Sequence, residues 1–323
     1  MRVLLVKLSS MGDVLHNLPV VADLARAYPD IEIDWVTEAL YAGLVVLHPR
    51  VRQVFSLRLR GLKNRWWSPV AWSSFFDAKA QLGGRKYDLI LDTQGLIKSA
   101  LIARWAEGPI GGFSSDTARE SLAARAYDRQ VAVSRDLHAV ERNRRLAAGI
   151  FGYELTGPVD YGLRFPVVVP GTEPAHPYVV FLHATSRANK MWPEPQWIAL
   201  GRRFRESGIG VLLPWGGADE KSRSERLSSA IPGAVVPPSM SLVAAAAMLA
   251  GSRGVIGVDT GLAHLAVAFA RPTVGLYLTT SPALTGLYGN DLAINLGGGT
   301  RQQPVVPSVD EAWHALQSLL ARP

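Results

Sequence analysis

The 323-residue chain contains no cysteine, which excludes disulfides and thiolate metal sites. It contains no long apolar run. Stretches such as 242–250 fall far short of the ~20 residues that a membrane span requires. No GxGxxG follows a strand-like segment and no GxxxxGK[ST] occurs, so the dinucleotide fingerprint and the P-loop are both missing. There is no Asp-x-Asp pair and no His-rich ligand set, so no dedicated metal site and no cofactor are expected. The first residues read as a strand rather than as the apolar core of a signal peptide, and a cytoplasmic protein is expected.

What is present is an ordered globular composition, 48% hydrophobic and 19% charged, at a length that favours two domains over one core. The formal net charge is +7 and is unevenly placed. Residues 51–145 hold 17 Lys and Arg against 9 Asp and Glu, a larger surplus than that of the whole chain. Such a surplus in the first half points to an anionic partner: nucleic acid, a phospholipid surface or an acidic substrate.

Strand-like runs at 2–6, 33–36, 51–56, 89–91 and 109–113 alternate with helix-like runs at 14–27, 69–82, 97–106 and 139–151. The alternation resumes after 177, with strands expected at 178–182, 211–213, 235–236, 254–257 and 273–276. Helices are expected at 196–206, 221–230, 242–250, 262–270 and 310–320. A stretch with five prolines and three glycines over 157–177 reads as the linker. The fold class is therefore α/β, two doubly wound parallel-sheet domains over 1–160 and 161–323. Their carboxyl-edge loops would face a central cleft, and the last helix has the option of packing back on the first domain.

Four polar clusters fall at strand ends or in loops. KLSSMGDVLH, 7–16, places Ser9, Ser10, Gly12 and Asp13 between the first strand and a helix, where Asp13 is either a general base or a helix cap. HATSRANKMW, 183–192, offers Thr185, Ser186 and Lys190, suited to a pyrophosphate or to a solvated loop. VDTGLAHLA, 258–266, opens a helix with Asp259, Thr260 and Gly261. The alternatives there are phosphate binding, or a capped helix with His264 packed inside. The loop 58–67 sets Arg58, Arg60, Lys63 and Arg65 beside Trp66 and Trp67. It fits a lipid headgroup boundary, an anionic sugar, single-stranded nucleic acid, or a solvated helix face.

Seven segments in this order resemble the lipopolysaccharide heptosyltransferases. They are KLSSMGDVLHNLP, DTQGLIKSA at 92–100, TARE at 117–120, HAVER at 138–142, HATSRANKMWP, LPWGGADE at 213–220, and VDTGLAHLA. The resemblance implies a GT-B glycosyltransferase that moves L-glycero-D-manno-heptose from ADP-heptose to Kdo on the lipid A precursor. It implies inversion, no metal, and work as a peripheral protein, expected to be a monomer, on the cytoplasmic face of the inner membrane. Carried over by resemblance, Asp13 is the base and Lys190 steadies the leaving group. Thr185, Ser186, Glu220, Met240, Asp259, Thr260, Gly261, Leu262 and His264 would complete the donor site, with Glu220 on the ribose and Met240 on the adenine. Ser10, Gly12, Arg58, Arg60, Lys63, Arg65, Lys98, Arg119, His138 and Arg142 are the candidates for the anionic acceptor.

One segment departs from the pattern. Relatives often carry a Gly-Pro-Thr turn where this chain has Tyr277 to Pro282, which puts any nucleotide contact of that loop in doubt. The rival readings are the branch that adds the second heptose, another nucleotide-sugar transferase of the same fold, a silent nucleotide-binding protein, and a basic nucleic-acid-binding protein. The last predicts affinity that falls steeply with salt.

Overall fold

The computed structural model describes residues 1–59, 69–165, 177–185 and 187–322, apart from the side chains of 69–72 and 74. Arg60, Lys63, Arg65, Trp66, Trp67, the Trp72 side chain, Ser186 and most of the expected linker therefore lie outside the described residues. The chain divides into two compact units, Met1–Arg164 and Phe165–Pro323, against the expected boundary at 160/161.

In the first unit the strands are β1 (Arg2–Val6), β2 (Glu32–Glu38), β3 (Val51–Leu57), β4 (Leu89–Asp92), β5 (Ile110–Phe113) and β6 (Arg129–Val131). They form one parallel sheet in the order β3-β2-β1-β4-β5-β6. Central strands of a parallel sheet are covered on both faces, which is why β1 and β4 read as unbroken apolar runs. The helices are α1 (Met11–Leu15), α2 (Leu18–Ala27), α3 (Ala39–Val45), α4 (Pro69–Leu82), α5 (Ile97–Ala103) and α6 (Ala139–Phe151). The order reverses between β1 and β4, so the loops after these two strands flank the switch point where doubly wound sheets bind ligands.

The second unit repeats the plan with β7 (Tyr178–Leu182), β8 (Gly210–Leu212), β9 (Gly254–Val258), β10 (Thr273–Tyr277) and β11 (Ala293–Gly297), ordered β11-β10-β9-β7-β8. Its helices are α7 (Glu194–Glu206), α8 (Ala218–Ala230), α9 (Leu242–Ala250), α10 (Gly261–Ala268), α11 (Pro282–Thr285) and α12 (Val309–Leu320). Its switch point lies between β7 and β9. No helix among the described residues is long and apolar enough to cross a membrane.

Several expectations are corrected. The helix read over 14–27 is two helices. α1 begins at Met11, and the chain breaks at His16–Asn17 because Pro19 sits in the first turn of α2, where its missing N–H costs nothing. Residues 235–236 form no strand; Val235 makes only an isolated bridge to Leu212, and Pro237 and Pro238 supply no N–H to extend it. The last helix, α12, buries Ala312, Leu316 and Leu319 in the second unit's own core.

The interior of the first sheet also shapes the loop after β4. Asp92 is buried. Its Oδ2 accepts from the Tyr127 hydroxyl at 2.7 Å and from Ser99 Oγ at 2.8 Å. Its Oδ1 accepts from the Gln94 amide at 2.8 Å and the Gly95 amide at 3.3 Å. Gly95 has φ +67°, so this tight turn favours glycine. Burial pushes the Asp92 carboxyl up, against these four donors. The Tyr127 ring lies against bare Gly112 on β5, where an added Cβ would stand 2.3 Å from a ring carbon. Gly112→Ala is expected to cost about 1–3 kcal/mol through overpacking. Urea denaturation checks this: the midpoint falls while the slope is unchanged.

Candidate functional site

In the first unit the site is built where β1 ends. Ser10 is the N-cap of α1 and Asp13 its third residue. Asp13 Oδ2 accepts from the Ser10 amide at 2.9 Å and from Ser10 Oγ at 3.3 Å. Asp13 Oδ1 takes the Arg119 guanidinium at 2.5 Å. Asp13 is thus a helix cap and an ion-pair partner together. Its side chain is 17% exposed and that of Arg119 is 44% exposed. Burial alone would raise the Asp13 pKa, but the Lys7 and Arg119 charges outweigh it and hold the carboxyl down at about 2.

Lys7 was not among the expected site residues. It is 2% exposed and its Nζ donates to the Thr93 carbonyl at 2.6 Å. Burial lowers its pKa to about 8, Asp13 and Asp92 opposing the shift and Arg119 and Arg142 adding to it. Gln94 Oε1 accepts from the Leu8 and Ser9 amides at 3.1 and 3.3 Å, tying the loop after β4 to the loop after β1. Both Lys7 and Gln94 lie inside the segments that carry the resemblance, which was the available signal for them.

The remaining acceptor candidates separate. Arg142 donates to the Thr117 carbonyl at 2.7 Å, with its guanidinium 4.7 Å from the Phe113 ring centre. Arg135, another missed cation, donates to the neighbouring Ala118 carbonyl. Arg142 feels the charges of both Arg119 and Arg135, and Arg119 in turn pairs with Asp13. Lys98 is exposed on the first turn of α5, and Arg58 is exposed after β3. Gly12 lies in α1. His138 is buried and caps α6, accepting from the Val140 amide at 3.2 Å while its ring meets that of His16.

In the second unit the loops after β7 and β9 are joined in the same manner. Thr185 Oγ1 donates to the Asp259 carbonyl at 2.9 Å. Lys190 Nζ meets Asp259 Oδ2 at 2.5 Å, with both side chains largely buried. Lys190 is therefore held in an ion pair rather than waving in solvent. Thr280 Oγ1 also donates to Asp259 Oδ2, at 3.0 Å, so the divergent loop after β10 joins this cluster. Thr260 is the N-cap of α10 without a side-chain capping bond; Gly261 and Leu262 form the first turn, and His264 is buried. Glu220, in the first turn of α8, accepts from the Gly216 amide at 2.7 Å. Met240 is half-buried just ahead of α9. Among the described residues no group of three or more His, Cys, Asp or Glu forms a metal-ligand set.

Chemically, the first unit offers an ionised carboxylate among cations. The second offers a lysine, hydroxyls and an uncapped helix N-terminus, which suit a phosphorylated ligand. A model described as glycosyltransferase family 9 (heptosyltransferase) matches residues 76–312. Lipopolysaccharide heptosyltransferase 1 of Pseudomonas aeruginosa is 43% identical over 299 residues, 92% of this chain and 84% of that one. The structure of E. coli heptosyltransferase WaaC with ADP is similar at TM-score 0.88 and 38% identity, over 99% of each chain. WaaC with ADP-2-deoxy-2-fluoro heptose gives 0.85 and 36%, again over 99% of each. Two parallel sheets and this likeness define a glycosyltransferase of the GT-B class. The chain belongs to glycosyltransferase family 9 and is a heptosyltransferase of lipopolysaccharide core synthesis.

The Lys7 ammonium has a stability consequence. Folding lowers its pKa from 10.5 to about 8, so in that interval the unfolded chain binds more protons and stability rises with pH. Below about pH 8 the whole cost of the buried charge is present, on the order of 3 kcal/mol. Lys7→Gln removes this charge. Its stability relative to wild type should therefore decline progressively between pH 8 and 10.5, as read by urea denaturation across that range.

Proposed function

We propose that this heptosyltransferase moves L-glycero-D-manno-heptose from ADP-heptose to the Kdo of Kdo-lipid A, inverting the anomeric carbon without a metal. The first unit binds the acceptor and the second the donor. The observation that carries the reading is the ionised Asp13 at the first switch point, held by an arginine exposed enough to be drawn away. The similar enzyme solved with ADP-2-deoxy-2-fluoro heptose supports the donor. The surplus of cations over residues 51–145 supports an acceptor rich in carboxylate and phosphate. We place the reaction at the cytoplasmic face of the inner membrane, where such a lipid acceptor would be met by a peripheral enzyme.

In this mechanism Arg119 turns from Asp13 to an anionic group of the acceptor, joined by Arg142 and by the basic residues at 58–65 and Lys98. Asp13 then takes the proton of the acceptor hydroxyl as its oxygen attacks the anomeric carbon. The bond to ADP breaks with its electron pair going to the phosphate. Lys190, Thr185, Ser186 and the amides at Thr260 and Gly261 meet that charge. Asp259 keeps Lys190 in place, Glu220 takes the ribose, Met240 packs on the adenine, and Leu262 and His264 close the donor pocket.

The test is release of ADP from ADP-heptose with Kdo-lipid A as acceptor. Turnover should require the acceptor, persist in EDTA, and fall about 10²- to 10⁴-fold in Asp13→Ala. Turnover undiminished in that variant would leave Asp13 a helix cap. Turnover restored only by an added divalent ion would overturn the metal-free reading.

A further inference from the structure

The proposed mechanism removes one of the two charges that hold Asp13 ionised. Arg119 is exposed and free to leave, but Asp13 stays largely buried when it does. Burial is the strongest influence on its carboxyl and favours the protonated form, which cannot act as a base. Something fixed must oppose that burial.

Lys7 is the group in position. It directly follows β1, flanked by β2 and β4: its amide donates to the Val36 carbonyl, and its own carbonyl accepts from Trp35 Nε1. Its ammonium is tied to the Thr93 carbonyl at the other side of the switch point. Buried at 2% exposure, it cannot swing out to a ligand as Arg119 can. We propose that Lys7 is a positioning residue of the transfer reaction: a fixed internal cation that keeps Asp13 ionised once the acceptor has drawn Arg119 away. The inference rests on Asp13 being the base.

The charges around the pair are accounted for. Lys7 faces Asp13 on α1, Asp92 on β4, Arg119 ahead of the 3₁₀ turn at Ser121–Ala126, and Arg142 on α6. Asp92 is occupied by Tyr127, Ser99 and two amides, and Arg142 by Thr117. Lys7 and Arg119 both act on Asp13 through their charge, and Arg119 adds a hydrogen bond that is lost when it leaves. Lys7 has a second effect after the chemistry. The acceptor proton, once on Asp13, leaves Lys7 without its main counter-charge, so the pair favours passing that proton to water and restoring the carboxylate.

The experiment is the pH dependence of turnover, each variant expressed relative to wild type. Lys7→Gln keeps an N–H for the Thr93 carbonyl but carries no charge, and it should gain an acid limb. About tenfold less relative turnover is expected at pH 5.5 than at pH 8. Lys7→Arg, which keeps the charge, should stay within about twofold across the same range. A folded Lys7→Gln whose loss is equal at every pH would overturn the proposal while leaving Asp13 as the base. Full turnover in Asp13→Ala, run in parallel, would instead sink the reading beneath it.

If Lys7→Gln does not fold, the carboxyl of Asp13 can be followed directly by ¹³C-aspartate NMR in Arg119→Ala. With Lys7 alone beside it, Asp13 should remain ionised to below about pH 5. A carboxyl that titrates near neutrality in that variant would overturn the proposal.

Discussion

The structure depends on a constraint at the switch point of each sheet. There the two central strands send their chains in opposite directions, and the loops beyond the last ladder bond would leave buried backbone groups without partners. Side chains meet that need. In the first unit Gln94 accepts two amides of the loop after β1, and Lys7 donates to a carbonyl of the loop after β4. In the second, Thr185 donates to the Asp259 carbonyl and Lys190 to the Asp259 carboxylate. Each bond spans a large gap in sequence, so the loops that carry chemistry are fixed by the sheet rather than by their own conformational preferences. That rigidity is what a positioned proton acceptor and a phosphate-binding loop both require.

The same constraint explains what the sequence discloses. Strands near the centre of each sheet are apolar throughout and were legible within a residue or two, as at β1 and β7. Of the edge strands, β3 and β8 were legible, but β6 and β11 were missed. β6 is Arg-Gln-Val and β11 is half-exposed, and neither shows a buried pattern, because an edge strand is only partly covered. The break between α1 and α2 is written in Pro19, but the apolar spacing around it spoke for one continuous helix. The residue types at the strand ends single out Asp13 and Lys190 as candidates but not their partners. A lysine after an apolar run reads as a return to solvent. Only the placement of β2 and β4 on either side of β1 buries Lys7. Partners such as Arg119, 106 positions from Asp13, depend on the topology and carry no local signal.

On the proposed mechanism, the two oxygens of Asp13 let it be cap and base at once. Oδ2 holds the Ser10 amide and hydroxyl, and so anchors the first turn of α1. Oδ1 is engaged at short range by Arg119 alone. When an acceptor anion draws Arg119 away, Oδ1 is set free, while Oδ2 loses a long 3.4 Å contact with Arg119 but keeps its two Ser10 bonds, and with them the orientation of the carboxyl group. On the proposed mechanism the proton therefore arrives at an oxygen whose position is already fixed by the other, and the capping bonds need not break during transfer. With no cation beside the cap, its burial would favour the protonated form. A carboxylate with cations but no cap would be free to rotate. The proposed base role needs both conditions, and the fold supplies them at one residue, the first through Lys7 and the second through Ser10.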